Sequence, residues 1–264
     1  MSRAGAIPCS WSLDHAGAIT RTVEDTALVL QVIAGDDPLD STTLQTPVPD
    51  YTGSLMNDVK NMVIGIPDTQ FFNEVDPEIA LAFNQSLLDF QELGVRIVSV
   101  SLPKNLEDAN QAHRIVMKAE AACYHQDHYP KNHTLYNPQL RQELELGQLV
   151  SAVDYLRAQH IRAAFRNELV DLLEGVDAII TPATPTPAPQ GLSYTGSPAF
   201  NIPFTNAGVP SLTLPNGFTE TTRLPLGLQL VARPLGEERL IKLGHAYQSI
   251  TDWHKERPRL AFIK

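Results

Sequence analysis

The densest set of side chains able to hold a metal or move a proton is Cys123, His125, Asp127, His128 and His133. A Cys-x-His-x-x-His-x4-His string carries enough thiolate and imidazole for a zinc shell. Its spacing argues against convergence. On a helix His125 and His128 share a face, Cys123 points elsewhere, and Tyr129-Pro130 interrupts the element before His133. The expectation is a solvated helix end, with histidines near the negative pole of the helix dipole, and no metal. Ser12, Asp14 and His15 supply the residue types of a hydrolytic triad. Triads are assembled by tertiary geometry, however, and three near neighbours in one segment rarely meet at one reacting atom. No Gly-x-Ser-x-Gly elbow, Gly-x-Gly-x-x-Gly turn or Gly-x4-Gly-Lys loop occurs, so nucleotide binding has no support and no cofactor is implied.

These residues must be positioned by a layered α/β scaffold. A helix over 20–34 is predicted from Ala27, Leu28, Leu30 and Val32-Ile33 at helical spacing, with Thr22 three residues before Asp25 as a cap. Gly35 stops it, and 36–61 follows as an irregular connection. Residues 62–66 read as a buried strand, Asp76-Pro77 opens a helix that Gly94 ends, and 95–100 reads as a second strand. Strand, helix and strand in this order predict a parallel βαβ unit. Helical patterns then cover 105–128, with Leu106, Ala109, Ile115-Val116, Ala119 and Ala122-Cys123 on one side, and 138–149. A longer helix over 151–174 turns Val153, Leu156, Ile161, Ala164, Phe165, Leu169 and Leu172-Leu173 inward. A third strand over 177–181 runs into a proline-rich exit at 182–189. Strands at 211–215 and 226–231 form a hairpin, and a helix from Glu237 to about Trp253 closes the chain. Strands separated by long helices predict an α/β fold, a mixed β-sheet flanked by helices in a single domain over 1–264.

Composition narrows the partners. The chain has 264 residues, 43% hydrophobic and 19% charged, which is enough apolar material for a sizeable core. Thirty acidic against twenty basic residues leave a net charge of −10, the wrong sign for clamping nucleic acid or an anionic membrane. Apolar runs are too short to span a bilayer, no signal peptide is evident, and two cysteines 114 positions apart make no disulfide framework. The cytoplasm is the expected location.

Two segments go further than chemistry read residue by residue. Ser2-Arg3-Ala4-Gly5 through Trp11-Ser12-Leu13-Asp14-His15-Ala16-Gly17, running into Thr20-Arg21-Thr22-Val23-Glu24-Asp25, resembles the stretch that follows the serine-rich signature of amidase signature family enzymes. Phe200-Asn201-Ile202-Pro203 through Pro210-Ser211-Leu212, with Leu224-Pro225-Leu226-Gly227-Leu228-Gln229, resembles the same family's closing hairpin. Asp177 to Pro185 and Thr251-Asp252-Trp253-His254-Lys255 follow the family order. The resemblance implies the C-terminal part of the amidase signature fold and a family reaction that hydrolyses a carboxamide to carboxylate and ammonia.

It also implies a serine nucleophile, a second serine on a cis peptide and a lysine, all upstream of Met1. This chain has no Gly-Gly and no Ser-Ser dipeptide, so none of its residues is assigned a catalytic role. Met1 stands where relatives usually have a small aliphatic residue, so a truncated or split reading frame, inactive alone, is expected. Trp11, Ser12, Asp14, His15, Thr181 and Thr184 are the expected substrate-binding residues, with Arg21 and Asp25 supporting them. Asp14 and Arg21 equally suit a structural ion pair, and Thr181 and Thr184 suit turn formation. Ala18 replaces the proline typical after Gly17, leaving a less rigid turn. The Trp11 to His15 and Thr251 to His254 segments look most like general amidases, ahead of the A subunits of tRNA-dependent amidotransferases. The competing class is a pseudoenzyme or subunit. It would self-associate or pair with another chain, and would meet a small-molecule amide only with the missing half supplied.

Overall fold

The computed structural model describes residues 1–56, 58–72 and 74–258. Five strands form one sheet: β1 (Val63–Pro67), β2 (Arg96–Val100), β3 (Ala178–Pro182), β4 (Ser211–Phe218) and β5 (Pro225–Val231), ordered β2-β1-β3-β5-β4. The predicted βαβ unit is present, since β1 pairs in parallel with β2, Ile64 opposite Ile97. β3 joins β1 in parallel and β5 antiparallel, and β4 and β5 form the predicted hairpin. Pro215 is tolerated because β4 is an edge strand, and a register shift follows it between Pro215 and Gly217.

The helices are α1 (Val23–Ile33), α2 (Pro77–Glu92), α3 (Leu106–His125), α4 (Tyr129–Asn132), α5 (Pro138–Gln148), α6 (Ala152–Glu174), α7 (Ile202–Ala207) and α8 (Glu237–Ile250). Local chemistry sets their starts. Thr22, Asp76, Asn137 and Ser151 each accept a backbone N–H of the first turn, from Asp25, Glu78, Leu140 and Asp154. Residues 36–61 hold only a 3-10 turn at Gly53–Met56, and Asn57 lies outside the described residues. The short α7 has no counterpart in the sequence pattern, because six residues are too few to show a period.

Alternation along the strands divides the core. Ile64, Ala178, Ile180 and Leu230 pack with Ala27 and Leu30 of α1, Phe83 and Phe90 of α2, and Leu243 and Tyr247 of α8. Ile179 and Val231 face Phe165, Leu169 and Leu173 of α6 with Ala109 of α3 and Phe204 of α7. The result is three layers, with helices on both faces of a mixed sheet.

The inward faces differ from the periodicity in two helices. Val153 and Leu156 of α6 are 71% and 57% exposed, because the first turns of this 23-residue helix pack on α3 through Tyr155 and Ala158 and leave the opposite side to solvent. Leu28 and Val32 of α1 are 51% and 82% exposed, and α1 buries Val23, Ala27 and Leu30 instead.

Candidate functional site

The site is built where the N-terminal segment crosses α3 and α6. Glu120, on the buried side of α3 and 6% exposed, is its centre. Its carboxylate accepts from Ser10 Oγ at 2.5 Å, Ser12 N at 2.9 Å, Ser12 Oγ at 2.8 Å and Tyr155 Oη of α6 at 2.7 Å. From the other side Arg162 of α6 donates to Ser12 Oγ at 2.7 Å and to the Ser12 carbonyl, and its Nε donates to the Asn206 carbonyl at 2.8 Å. Burial pushes the Glu120 carboxyl upward, but its four hydrogen bonds outweigh burial and hold it below its ordinary range. Ser12 is thereby occupied on its amide, carbonyl and hydroxyl.

Pinning Ser10 and Ser12 presents Trp11 and the turn after it to an open cavity of about 650 Å³. Asp14 closes that turn by accepting the amides of Cys9 at 2.7 Å and Ser10 at 3.0 Å. Arg3 spans the wall, donating to the carbonyls of Trp11 at 2.5 Å and Asp14 at 3.0 Å and to Thr42 Oγ1 at 2.6 Å. Its amide also bonds Asp40 at 2.9 Å, tying the 36–61 connection to the N-terminal segment. Hydrogen bonds from Thr42 and the Arg3 amide hold the Asp40 carboxyl far below the usual carboxylate range. Trp11 meets Tyr124 of α3 edge to face at 6.1 Å between ring centres. Burial, with the Asp14 carboxylate adding to it, pushes the Cys9 thiol up, so Cys9 in this wall is a poor nucleophile.

Three of the six expected substrate-binding residues, Trp11, Asp14 and His15, line this cavity together. Ser12 lies behind it, bound to Glu120 and Arg162. Thr181 is fully buried, donating to the Pro182 carbonyl and accepting from Gln229, while exposed Thr184 donates to the Thr186 carbonyl, and neither lines the cavity. Arg21 and Asp25 sit at the start of α1, where the Arg21 carbonyl accepts from Gln248 at 3.4 Å and the Asp25 amide bonds Thr22. No ion pair joins Asp14 to Arg21 among the described residues. Asn206 and Gln229 satisfy buried backbone carbonyls of Ala109 and Phe200. At the end of α3, His125 Nδ1 lies 2.9 Å from Tyr136 Oη and Cys123 is free and exposed. Among the described residues no three His, Cys, Asp or Glu side chains are placed to share a metal ion.

Glu120, Tyr155 and Arg162 are not among the residues that sequence spacing singles out. The one available signal is that Glu120 continues the 109, 113, 116 row of α3, a carboxylate where an apolar side chain would otherwise fall.

The arrangement is that of a three-layer α/β protein with an open cavity along its N-terminal segment, which a buried carboxylate holds in place. The chain belongs to the Amidase family, whose sequence model matches residues 1–241. It is 38% identical to an amidase of Pseudomonas putida, over 97% of this chain and 57% of that protein. It is 36% identical to the A subunit of the glutamyl-tRNA(Gln) amidotransferase of Pseudomonas savastanoi pv. phaseolicola, over 98% of this chain and 59% of that protein. Among solved structures, one described as an unexpected vestigial protein complex that reveals the evolutionary origins of an s-triazine catabolic enzyme superposes with a TM-score of 0.84 at 27% identity. It covers 94% of this chain and 56% of its own. A crystal structure of an amidase gives 0.76 at 30% identity, over 93% and 55% of the two chains. The chain thus spans somewhat under three fifths of the length of these relatives. No helix among the described residues is long and apolar enough to cross a membrane.

Proposed function

We propose that this chain forms, as one folding unit, the C-terminal portion of a carboxamide hydrolase and supplies a substrate-facing wall, not the nucleophile. The observation that carries this reading is the cavity itself. Most of its wall is made by the segment from Ser2 to Ala16 that resembles the family stretch following the serine-rich signature, with Leu39, Asp40 and Tyr124 completing it. Ser2 lines the cavity with its hydroxyl accepting from the Ala4 amide, and Ser10 and Ser12 behind it are bound to Glu120, which at its lowered pKa is a hydrogen-bond acceptor and not a general base poised near neutrality. The nucleophile and base of the reaction therefore come from the remainder of the family's length, in the same or another polypeptide.

The apolar row Leu28, Val32 and Ile33 on α1 offers a surface for that portion or for self-association. The cysteines, free and exposed, suit a reducing compartment, and we place the protein in the cytoplasm. The similarity to the A subunits of glutamyl-tRNA(Gln) amidotransferases supports a second reading, in which the chain is a portion of such a subunit.

The test is complementation. The 264-residue chain is assayed for ammonia release from simple carboxamides, alone and co-expressed with the portion of the Pseudomonas putida amidase it does not match. No turnover alone, turnover on complementation, and labelling of the other polypeptide by a serine-directed inhibitor are expected. Turnover by the chain alone, abolished by Ser12→Ala, overturns the proposal.

A further inference from the structure

We infer that β2 is an association edge: two copies of this chain pair their β2 strands antiparallel about a twofold axis, joining their five-stranded sheets into one continuous sheet.

The two edges of the sheet are built differently. β4 carries Pro215 and a register shift between Pro215 and Gly217, both of which obstruct the addition of a further strand. β2 has neither device. Its span and flanks, Val95-Arg96-Ile97-Val98-Ser99-Val100-Ser101, contain no proline, glycine or lysine, and their one charge is at Arg96. The Arg96 amide donates to the Met62 carbonyl at 2.8 Å and the Asp68 amide to the Val100 carbonyl at 3.0 Å, so residues 96, 98 and 100 turn their backbone groups toward β1. By alternation Ile97 and Ser99 turn theirs outward, and no backbone group among the described residues bonds them. Arg96 and Ser99 are exposed, which leaves this edge open to another strand.

A second β2 suits the edge because the edge is complementary to itself. With the axis through Val98, Ile97 faces the second copy's Ser99, and each such pair exchanges two backbone hydrogen bonds, about four in all. Val98 faces the second copy's Val98 as a close β-branched pair. Arg96 faces the second copy's Val100. Residues 96, 98 and 100 lie on the sheet face where Val98 and Val100 pack with Leu102 and Leu106 at the start of α3. Glu107 and Asp108 stand exposed in that first turn, and Arg96 makes no ion pair among the described residues. Antiparallel pairing therefore carries each Arg96 toward the acidic first turn of the other copy's α3. An axis through Ile97 would instead set the two Arg96 side chains diagonally against each other, which like charge opposes. One pairing consumes β2, and β4 resists addition, so assembly closes at two copies.

Sedimentation velocity of the full chain over a concentration series is expected to show a reversible monomer–dimer equilibrium. Ser99→Pro removes an outward N–H and no β1–β2 bond, so it should weaken the dimer at least about tenfold by deleting two of the seam's hydrogen bonds. Its circular dichroism and urea midpoint report that the fold is kept. Arg96→Glu should weaken the dimer as well, and adding Glu107→Lys with Asp108→Lys should restore it. The register is read by cross-linking in a Cys9→Ser, Cys123→Ser background with oxidised glutathione. Val98→Cys should form an intermolecular disulfide, because facing Cα atoms of such a pair lie about 4.5 Å apart, and Val100→Cys, set against Arg96, should not. A monomer at every concentration, a dimer that folded Ser99→Pro leaves intact, or cross-linking of Val100→Cys as fast as Val98→Cys overturns the inference. Should Ser99→Pro fail to fold, the two cysteine variants decide it.

Discussion

Removing the Glu120 carboxylate should unfasten the cavity wall, and the cost can be worked from its partners. Glu120 accepts four hydrogen bonds of 2.5–2.9 Å from Ser10, Ser12 and Tyr155. In Glu120→Ala all four donors lose their acceptor, because Gln159 and Arg162 only donate to the Tyr155 and Ser12 hydroxyl oxygens; the Tyr155 and Ser12 hydroxyls lie near enough to solvent to turn to water, which leaves the buried Ser10 hydroxyl and the part-buried Ser12 amide to carry most of the cost. At about 1.5–3 kcal/mol for each hydrogen bond to a charged group, these two bonds amount to about 3–6 kcal/mol. Glu120→Gln preserves shape and one acceptor oxygen and should cost less than half of that.

Urea unfolding measures the change as a shift in midpoint at unchanged slope. Acrylamide quenching of Trp11, expected to rise in the alanine variant, shows whether the loss is local to residues 10–12. The folded carboxyl titrates below its ordinary 4.5, so its contribution is complete above pH 4.5 and is lost as pH falls below that value; the glutamine variant should lack this acid loss. A Glu120→Ala protein within 1 kcal/mol of the parent, with Trp11 no more accessible to quencher, would refute the role assigned to this carboxylate.

His113, buried on α3 with Nδ1 unpaired, has its pKa lowered to about 4, first by burial and then by the Arg162 and Arg114 guanidiniums. The unfolded chain takes up a proton between pH 6.5 and 4 that the folded chain refuses, so stability should fall on acidification by up to about 1.4 kcal/mol per pH unit in that window. His113→Leu should flatten the slope, as unfolding free energies at pH 7 and 5 will show. Gly147→Ala would ordinarily stabilise a helix by up to about 1 kcal/mol. Here the added Cβ would lie 2.1 Å from the Lys118 carbonyl of α3, so a loss of about 2 kcal/mol or more is expected in thermal or urea unfolding. Zinc added to chelator-washed protein should bind below stoichiometry by elemental analysis, because His125 is engaged with Tyr136 and Cys123 stands apart.

Local rules carry far in this chain because they are satisfied by near neighbours. A threonine three residues ahead of an N–H, an Asp-Pro pair and a serine before Asp154 each define a helix start whatever the tertiary fold. The buried runs at β1 and β3 are legible for a related reason, since strands covered on both faces need apolar side chains throughout. The pattern misleads where an apolar side chain has no neighbour to meet. Val153 and Leu156 keep i,i+3 spacing on the side of α6 opposite Tyr155 and Ala158, and Val32 keeps i,i+4 spacing with exposed Leu28 on a side of α1 that no described element covers. Spacing reports which side chains share a face and says nothing about whether anything faces them.

The site was less legible because its chemistry is spread over the sequence by the same folding that hides it. Trp11, Asp14 and His15 fall together in the cavity since they are near neighbours in one turn. The group that fixes that turn lies 110 residues away from Ser10 and 108 from Ser12, and its place on the buried row of α3 does not say which segment it meets. Thr181 and Thr184 occupy the C-terminal end of a parallel strand, where ligands of open α/β sheets commonly bind. Here the position is taken by Gln229 and by the proline-rich exit, so both hydroxyls are spent within the fold. The cavity wall is therefore fixed by the crossing of α3 and α6 and not by the sheet. A change such as Gly147→Ala, which forces α5 away from α3, should reach Trp11 through Glu120 without touching any residue of the wall.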